Sequence, residues 1–132
     1  MTAKEVRMSA MARRFLAVGA ALAALAVVAG ALGAHALQEA LAGRQSTYDT
    51  AVRYHFLHAL GLILVALILD RLSSSRLVAA VGWSMGAGVL LFSGALYLLA
   101  LTGQGWLGAI APFGGLAYIA GWSLLAVAAV RG

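Results

Sequence analysis

Apolar positions gather into four long runs, residues 15–37, 52–69, 77–101 and 107–130, and the polar positions fall between them. A membrane span takes ~20 mainly apolar residues to cross ~30 Å of hydrocarbon, and each run comes close to that length. The second run is the shortest, so its ends are expected in the interface or to extend back through residues 49–53. The connections at 70–76 and 102–105 are short, which forces neighbouring helices to run antiparallel. The pattern therefore predicts an all-α, integral membrane, four-helix up-down bundle over residues 15–131, preceded by a basic N-terminal tail at 1–14.

Composition supports the same solvent. Hydrophobic residues make up 64% of the chain and charged residues 10%, whereas soluble domains carry ~25% charged residues. Mean hydropathy is +0.98. The net charge of +5 does not gather into a nucleic-acid surface; it sits at span ends. Lys4, Arg7, Arg13 and Arg14 precede the first span, Arg71 and Arg76 follow the second, and Arg131 follows the fourth. Only Arg44 and Arg53 fall on the alternate side. The positive-inside rule then puts both termini and the middle loop in the cytoplasm. Cysteine is absent, which removes disulfides, thiol catalysis and Cys-ligated metals.

The N-terminus imitates a secretory signal, with basic residues, an apolar stretch and the small-residue sequence Ala34-His35-Ala36. That apolar stretch is longer than the ~7–15 residues of a signal core and further spans follow it, so it is read as a retained first span. Met8 and Met11 are alternative starts.

Small residues line the first span at Gly19, Ala20, Ala23, Ala26, Gly30 and Gly33, and the third at Gly82, Gly86 and Gly94. In lipid such spacing lets helix backbones approach, and packing inside the bundle is the expected use. Residues 38–50 form the longest polar stretch after the tail. Their spacing predicts a surface-lying segment that breaks near Gly43, with the second helix resuming about Tyr48 under a Ser46 or Thr47 cap. Pro112 either occupies the first turn of the fourth helix or kinks a longer one, and Gly114-Gly115 favours a local irregularity there. Trp83, Trp106, Trp122, Tyr48 and Tyr54 read mostly as interfacial anchors.

Candidate chemistry rests on the three histidines. His35 ends the first span, and His55 and His58 lie three apart on adjacent positions of one helical face. The up-down topology brings His35, His58, Ser93 and Tyr97 to the outer half, where a polar cluster is geometrically possible. Imidazole there can ligate haem iron, zinc or copper, or bond a quinone. The plainer use is interhelical hydrogen bonding, with His58 and Tyr97 as glue between helices and His55 wetted near the surface. No carboxylate or Cys completes a metal set. Nor does any Asp, Glu, Lys or Arg lie at mid-bilayer, which argues against an ion-coupled transporter. A Ser-His-Asp set, a phosphate loop and a zinc-protease motif are all missing from the sequence.

Four blocks occur in order across nearly all of the chain after the tail. Gly30 to Leu37 (GALGAHAL) resembles a GAFGAHGL signature, and Asp49 to Leu60, with Tyr54, His55 and His58-Ala59-Leu60, resembles an aromatic-then-HAL pattern. Leu91 to Gly103 (LFSGALYLLALTG) resembles LFSGSLYLLALTG, and Ala111 to Gly115 (APFGG) resembles TPIGG, with Gly121-Trp122 following. Together they resemble the small inner-membrane proteins of domain of unknown function 423, the YgdD-like family. The resemblance implies a bacterial inner-membrane protein with four spans, no established activity and motif positions at His35, His58, Ser93, Tyr97 and Pro112. His55 departs from a frequent Gln and Ala111 from a frequent Thr.

The expectation is a non-enzymatic membrane protein that packs with itself or with a larger membrane complex. The alternative is a binder of haem, quinone or lipid through the outer cluster, the sequence itself specifying no cofactor. A small pore is a third reading, and it requires oligomerisation.

Overall fold

The computed structural model describes residues 7–132, all helix and connections. Lys4, and with it the start of the basic tail, lies outside the described residues. Helix α1 spans Ala10–Ala34, α2 Gln45–Ile68, α3 Ser75–Gly88, α4 Gly94–Thr102 and α5 Ala111–Arg131. A π-helical segment, Val89–Ser93, joins α3 to α4 as one third span, and a 3-10 segment, Gly105–Ala109, leads into α5. Four helical units are thus long and apolar enough to cross a membrane, Ala10–Ala34, Gln45–Ile68, Ser75–Thr102 and Gly105–Arg131. Helices suit this solvent because they satisfy their backbone groups internally, where lipid offers no partner.

The first helix begins five residues before its apolar run. Ser9 caps it, its hydroxyl accepting from the Ala12 N–H at 3.2 Å, which satisfies one of the helix's orphan donors. Asp70, from the loop after α2, accepts from the Ser9 N–H at 2.7 Å and ties that loop to the start of α1. The second helix likewise reaches back to Gln45, further than its apolar run. Arg44 precedes it and makes no side-chain cap, so the expected Ser46 or Thr47 cap is replaced by an earlier start.

Residues 35–44 form successive turns rather than a surface helix. Leu41 in their middle is wholly buried and packs with Tyr48 and Ala100. Arg44 holds this loop to the end of the third span, its Nε donating to the Ala100 carbonyl at 2.7 Å. Gly43 takes φ +77°, a left-handed turn that favours glycine.

The core stacks in three tiers. At the basic end Ala12, Phe15, Leu62, Val65, Leu69, Val78, Val81 and Met85 form an apolar cluster, and at the other end lies the small Leu41, Tyr48 and Ala100 cluster. Between them His55, His58 and Ser93 are the buried polar residues. Close approach makes this possible. A Cβ on Gly19 would lie 2.9 Å from the Ala59 carbonyl oxygen, so α1 and α2 touch nearly backbone to backbone. A Cβ on Gly114 would clash with the Phe92 backbone nitrogen, so α5 seats directly on the π segment.

That geometry corrects one expectation. Pro112 sits in the first turn of α5, where its missing N–H costs little, and the helix runs unbroken through Gly114 and Gly115. The irregularities lie elsewhere, in the 3-10 turn before Pro112 and in the π turn across from Gly114. Gly114 and Gly115 serve contact with Phe92 instead.

Candidate site: a buried histidine–aromatic layer

His58 lies thirteen residues after Gln45, ~20 Å along the axis at 1.5 Å per residue, and so near mid-membrane. It is 2% exposed. Its Nδ1 lies 2.7 Å from the Tyr54 carbonyl one turn earlier. Its Nε2 lies 3.0 Å from the indole Nε1 of Trp122 on α5. Indole N–H only donates, so Nε2 must accept, and the proton must sit on Nδ1 and point at Tyr54. Both ring nitrogens are therefore occupied in a single neutral tautomer. A second proton on Nε2 would set one donor against another.

The ring is also stacked. Tyr118 lies parallel to His58, centroids 3.4 Å apart and planes 11° apart. The Tyr118 hydroxyl meets Ser93 Oγ at 3.3 Å, and Ser93, wholly buried, closes the π segment. In that segment the Gly94 N–H bonds the Val89 carbonyl five residues back. Such a single wide turn shifts the phase of the residues after it by one position. One chain of contacts thus runs from the π turn through Ser93, Tyr118 and His58 to Trp122.

A second chain lies nearer the outer tier. His55 Nδ1 meets the Tyr97 hydroxyl at 2.9 Å, and Tyr97 packs edge-on to Tyr48, centroids 5.3 Å apart. Tyr48 donates to the Ala29 carbonyl at 2.6 Å. His55 is 6% exposed, so it is buried and not wetted. Its Nε2 is left without a hydrogen bond among the described residues.

The expected cluster of His35, His58, Ser93 and Tyr97 is therefore divided. Ser93 joins His58 through Tyr118, and Tyr97 joins His55. His35 caps α1 through its backbone and its side chain is exposed. Among the described residues no three His, Asp or Glu converge on one point. Sequence reasoning left Tyr118 out, set His55 outside the cluster as wetted, and read Trp122 as an anchor. Tyr118 carried no signal beyond its apolar setting. Trp122, read as an anchor, turns its indole N–H to His58 and is 39% exposed, against 66% and 64% for Trp83 and Trp106.

A groove of about 460 Å³ opens beside this layer, lined by Tyr54, His58, Phe92, Tyr118 and Trp122 among others. Its volume falls within the ~300–1,000 Å³ of small-molecule sites. Any ligand seeking the imidazole there must first displace Trp122 from Nε2.

Four apolar helices around a hydrogen-bonded interior define a multi-pass membrane protein. Residues 29–115 match the family described as Protein of unknown function (DUF423), and the chain belongs to that family. It is 47% identical over 118 residues to the UPF0382 membrane protein YwdK of Bacillus subtilis, covering 89% of this chain and 96% of that one. A UPF0382 membrane protein of Staphylococcus haemolyticus is 42% identical over 118 residues, 89% of this chain and 95% of its own. The UPF0382 inner membrane protein YgdD of Escherichia coli K12 is 33% identical over 126 residues, 92% and 93% of the two chains. No solved structure matches the chain.

Proposed function

We propose that the protein acts without catalysis, as a packed transmembrane subunit that works through association with a larger membrane complex or with itself. The observation that carries this reading is His58, whose two ring nitrogens are both committed to partners inside the bundle. Ser93, Tyr97 and Tyr48 also direct their polar atoms at the protein's own groups. An interior arranged this way specifies which helix faces meet; His55 Nε2 is the one buried side-chain polar atom among the described residues left without a partner.

Both termini and the loop at 69–74 lie on the cytoplasmic side in this reading. Arg7, Arg13, Arg14, Arg71, Arg76 and Arg131 all stand at that end, against Arg44 and Arg53 at the other. Because the chain has no cysteine, single introduced thiols report the side directly. A membrane-impermeant maleimide should label Ser46→Cys in intact cells and Ser73→Cys only after the membrane is opened. The reverse pattern overturns the orientation. Crosslinking in native membranes followed by mass spectrometry tests the association: a reproducible stoichiometric protein partner or a homo-oligomer supports it, and a lone monomer at native abundance contradicts it.

The competing reading places a haem, quinone or lipid beside His58, in the groove that opens there. It needs the Trp122 bond broken on binding.

A further inference from the structure

A lipid-facing groove lies at the basic end, away from the histidine layer. It runs between the first turns of α1 and the middle of α3, over a floor of Phe15 and Leu62. Met11, Arg14 and Val18 form one wall, and Gly82, Trp83 and Gly86 the other. We infer that this groove holds one acyl chain of an anionic phospholipid, with the lipid's phosphate on Arg14.

Shape supports an acyl chain. The volume is about 270 Å³, below the ~300–1,000 Å³ that takes a whole small molecule. A partial site of that size suits a segment of a chain whose remainder stays in the bilayer. From Arg14 to Val18 the wall descends ~6 Å at 1.5 Å per residue, into the outer part of one ~15 Å leaflet of the hydrocarbon core. Phe15 keeps the floor closed. Its ring packs against Gly82 and edge-on to Trp83, centroids 5.6 Å apart. Gly86 leaves the far end open, since a Cβ there would meet nothing within 4 Å.

Charge selects the head group. Arg14 lies one turn inside the start of α1, exposed, at the depth where a long cation reaches the interface while its stem lies along apolar surface. Arg7, Arg13, Arg71, Arg76 and Arg131 stand exposed at the same end. Among the described residues Asp70 is the one acid there, and its Oδ2 is already bonded to Ser9. A zwitterionic lipid brings its own cation into this field, whereas an anionic one does not. The inference goes beyond the accessory-subunit reading and does not depend on it.

The test is native mass spectrometry of the full chain in mild detergent, titrated with an equimolar mixture of phosphatidylglycerol and phosphatidylethanolamine. One phosphatidylglycerol per chain should be retained in preference. Arg14→Gln should lower that preference about fivefold, the worth of one basic residue near an anionic bilayer surface. Arg13→Gln, next in sequence but outside the groove, should leave most of it. Gly86→Leu should fill the groove and release the lipid while the thermal melt stays unchanged. If Gly86→Leu does not fold, Val18→Phe blocks the opposite wall and serves instead. Equal retention of both lipids overturns the inference. So does phosphatidylglycerol binding that survives the filled groove, which would mean a surface charge effect only. A lipid-free dimer that shields Trp83 would replace the lipid with a second copy and also overturns it.

Discussion

Trp122 donates its indole N–H to Nε2 of His58 across 3.0 Å, from the middle of α5 to the middle of α2. Because indole cannot accept, this bond decides where the imidazole proton sits, and so what His58 can do. The second nitrogen is spoken for by Tyr54, and the ring face by Tyr118.

Trp122→Phe keeps the aromatic bulk and removes the donor. Interhelical hydrogen bonds in membranes average ~0.6 kcal/mol and reach ~1.7, so the variant should lose stability within that range. Denaturant unfolding in detergent measures it. In the parent protein, ¹⁵N NMR of labelled histidine should show His58 as the Nδ1–H tautomer, and an Nε2–H tautomer would contradict the geometry.

His58→Ala should cost more than His55→Ala. The first removes the interhelical bond to Trp122, a bond to Tyr54 within α2 and a stacked ring; the second removes one interhelical bond, to Tyr97, and interhelical bonds are worth ~0.6–2 kcal/mol. A double-mutant cycle of His55→Ala with Tyr97→Phe should show coupling, whereas His58→Ala with Tyr97→Phe should be nearly additive. Equal melts for the two single histidine variants would place His58 wrongly.

Gly114→Ala should destabilise by about 1–3 kcal/mol, the usual cost of forcing extra atoms into a packed interface. The new methyl would meet the backbone of Leu91 and Phe92, which cannot swing aside as a side chain can. Gly86→Ala, facing open space, should leave the unfolding midpoint within error. A neutral Gly114→Ala would mean α5 does not seat on the π turn.

Asp70 caps the start of α1 from another loop, and its hydrogen bonds from Ser9 hold its carboxyl below the ordinary value of 3.8. A depressed folded-state value means the contribution is fully present above 3.8 and is lost as pH falls through the lower folded value. Neutral pH therefore keeps it whole. Asp70→Asn should mimic the acid state at pH 7, and hydrogen exchange at the first-turn amides of α1 should speed up. Unchanged exchange would show that Ser9 alone holds the cap.

Sequence made the architecture legible because lipid imposes a length and a composition on every span. The limits of the helices moved by a few residues where a capping or buried polar residue, such as Ser9 or Tyr48, extended a helix beyond its apolar run. The interior was harder to read. His55 and His58 share a helical face, and the pattern does not say which of two inward neighbours each one meets. That choice depends on the rotation of α5, which carries Tyr118 and Trp122, and on the π turn, which sets the phase of Ser93 against Tyr97. In a span apolar on nearly every face, the one-residue phase shift of the π turn leaves little trace in the pattern. His35 looked equivalent to His58 in residue type, yet α1 ends one residue before it and leaves it outside.

Mild-detergent purification from native membranes, with absorption spectroscopy, metal analysis and mass spectrometry on one sample, tests the central claim most directly. The claim is that the buried histidines are spent on packing. The expected result is a protein free of chromophore and stoichiometric metal, accompanied by a reproducible protein partner or a second copy. A chromophore or metal at near-unit stoichiometry that disappears in His58→Ala, with the fold intact, would contradict it.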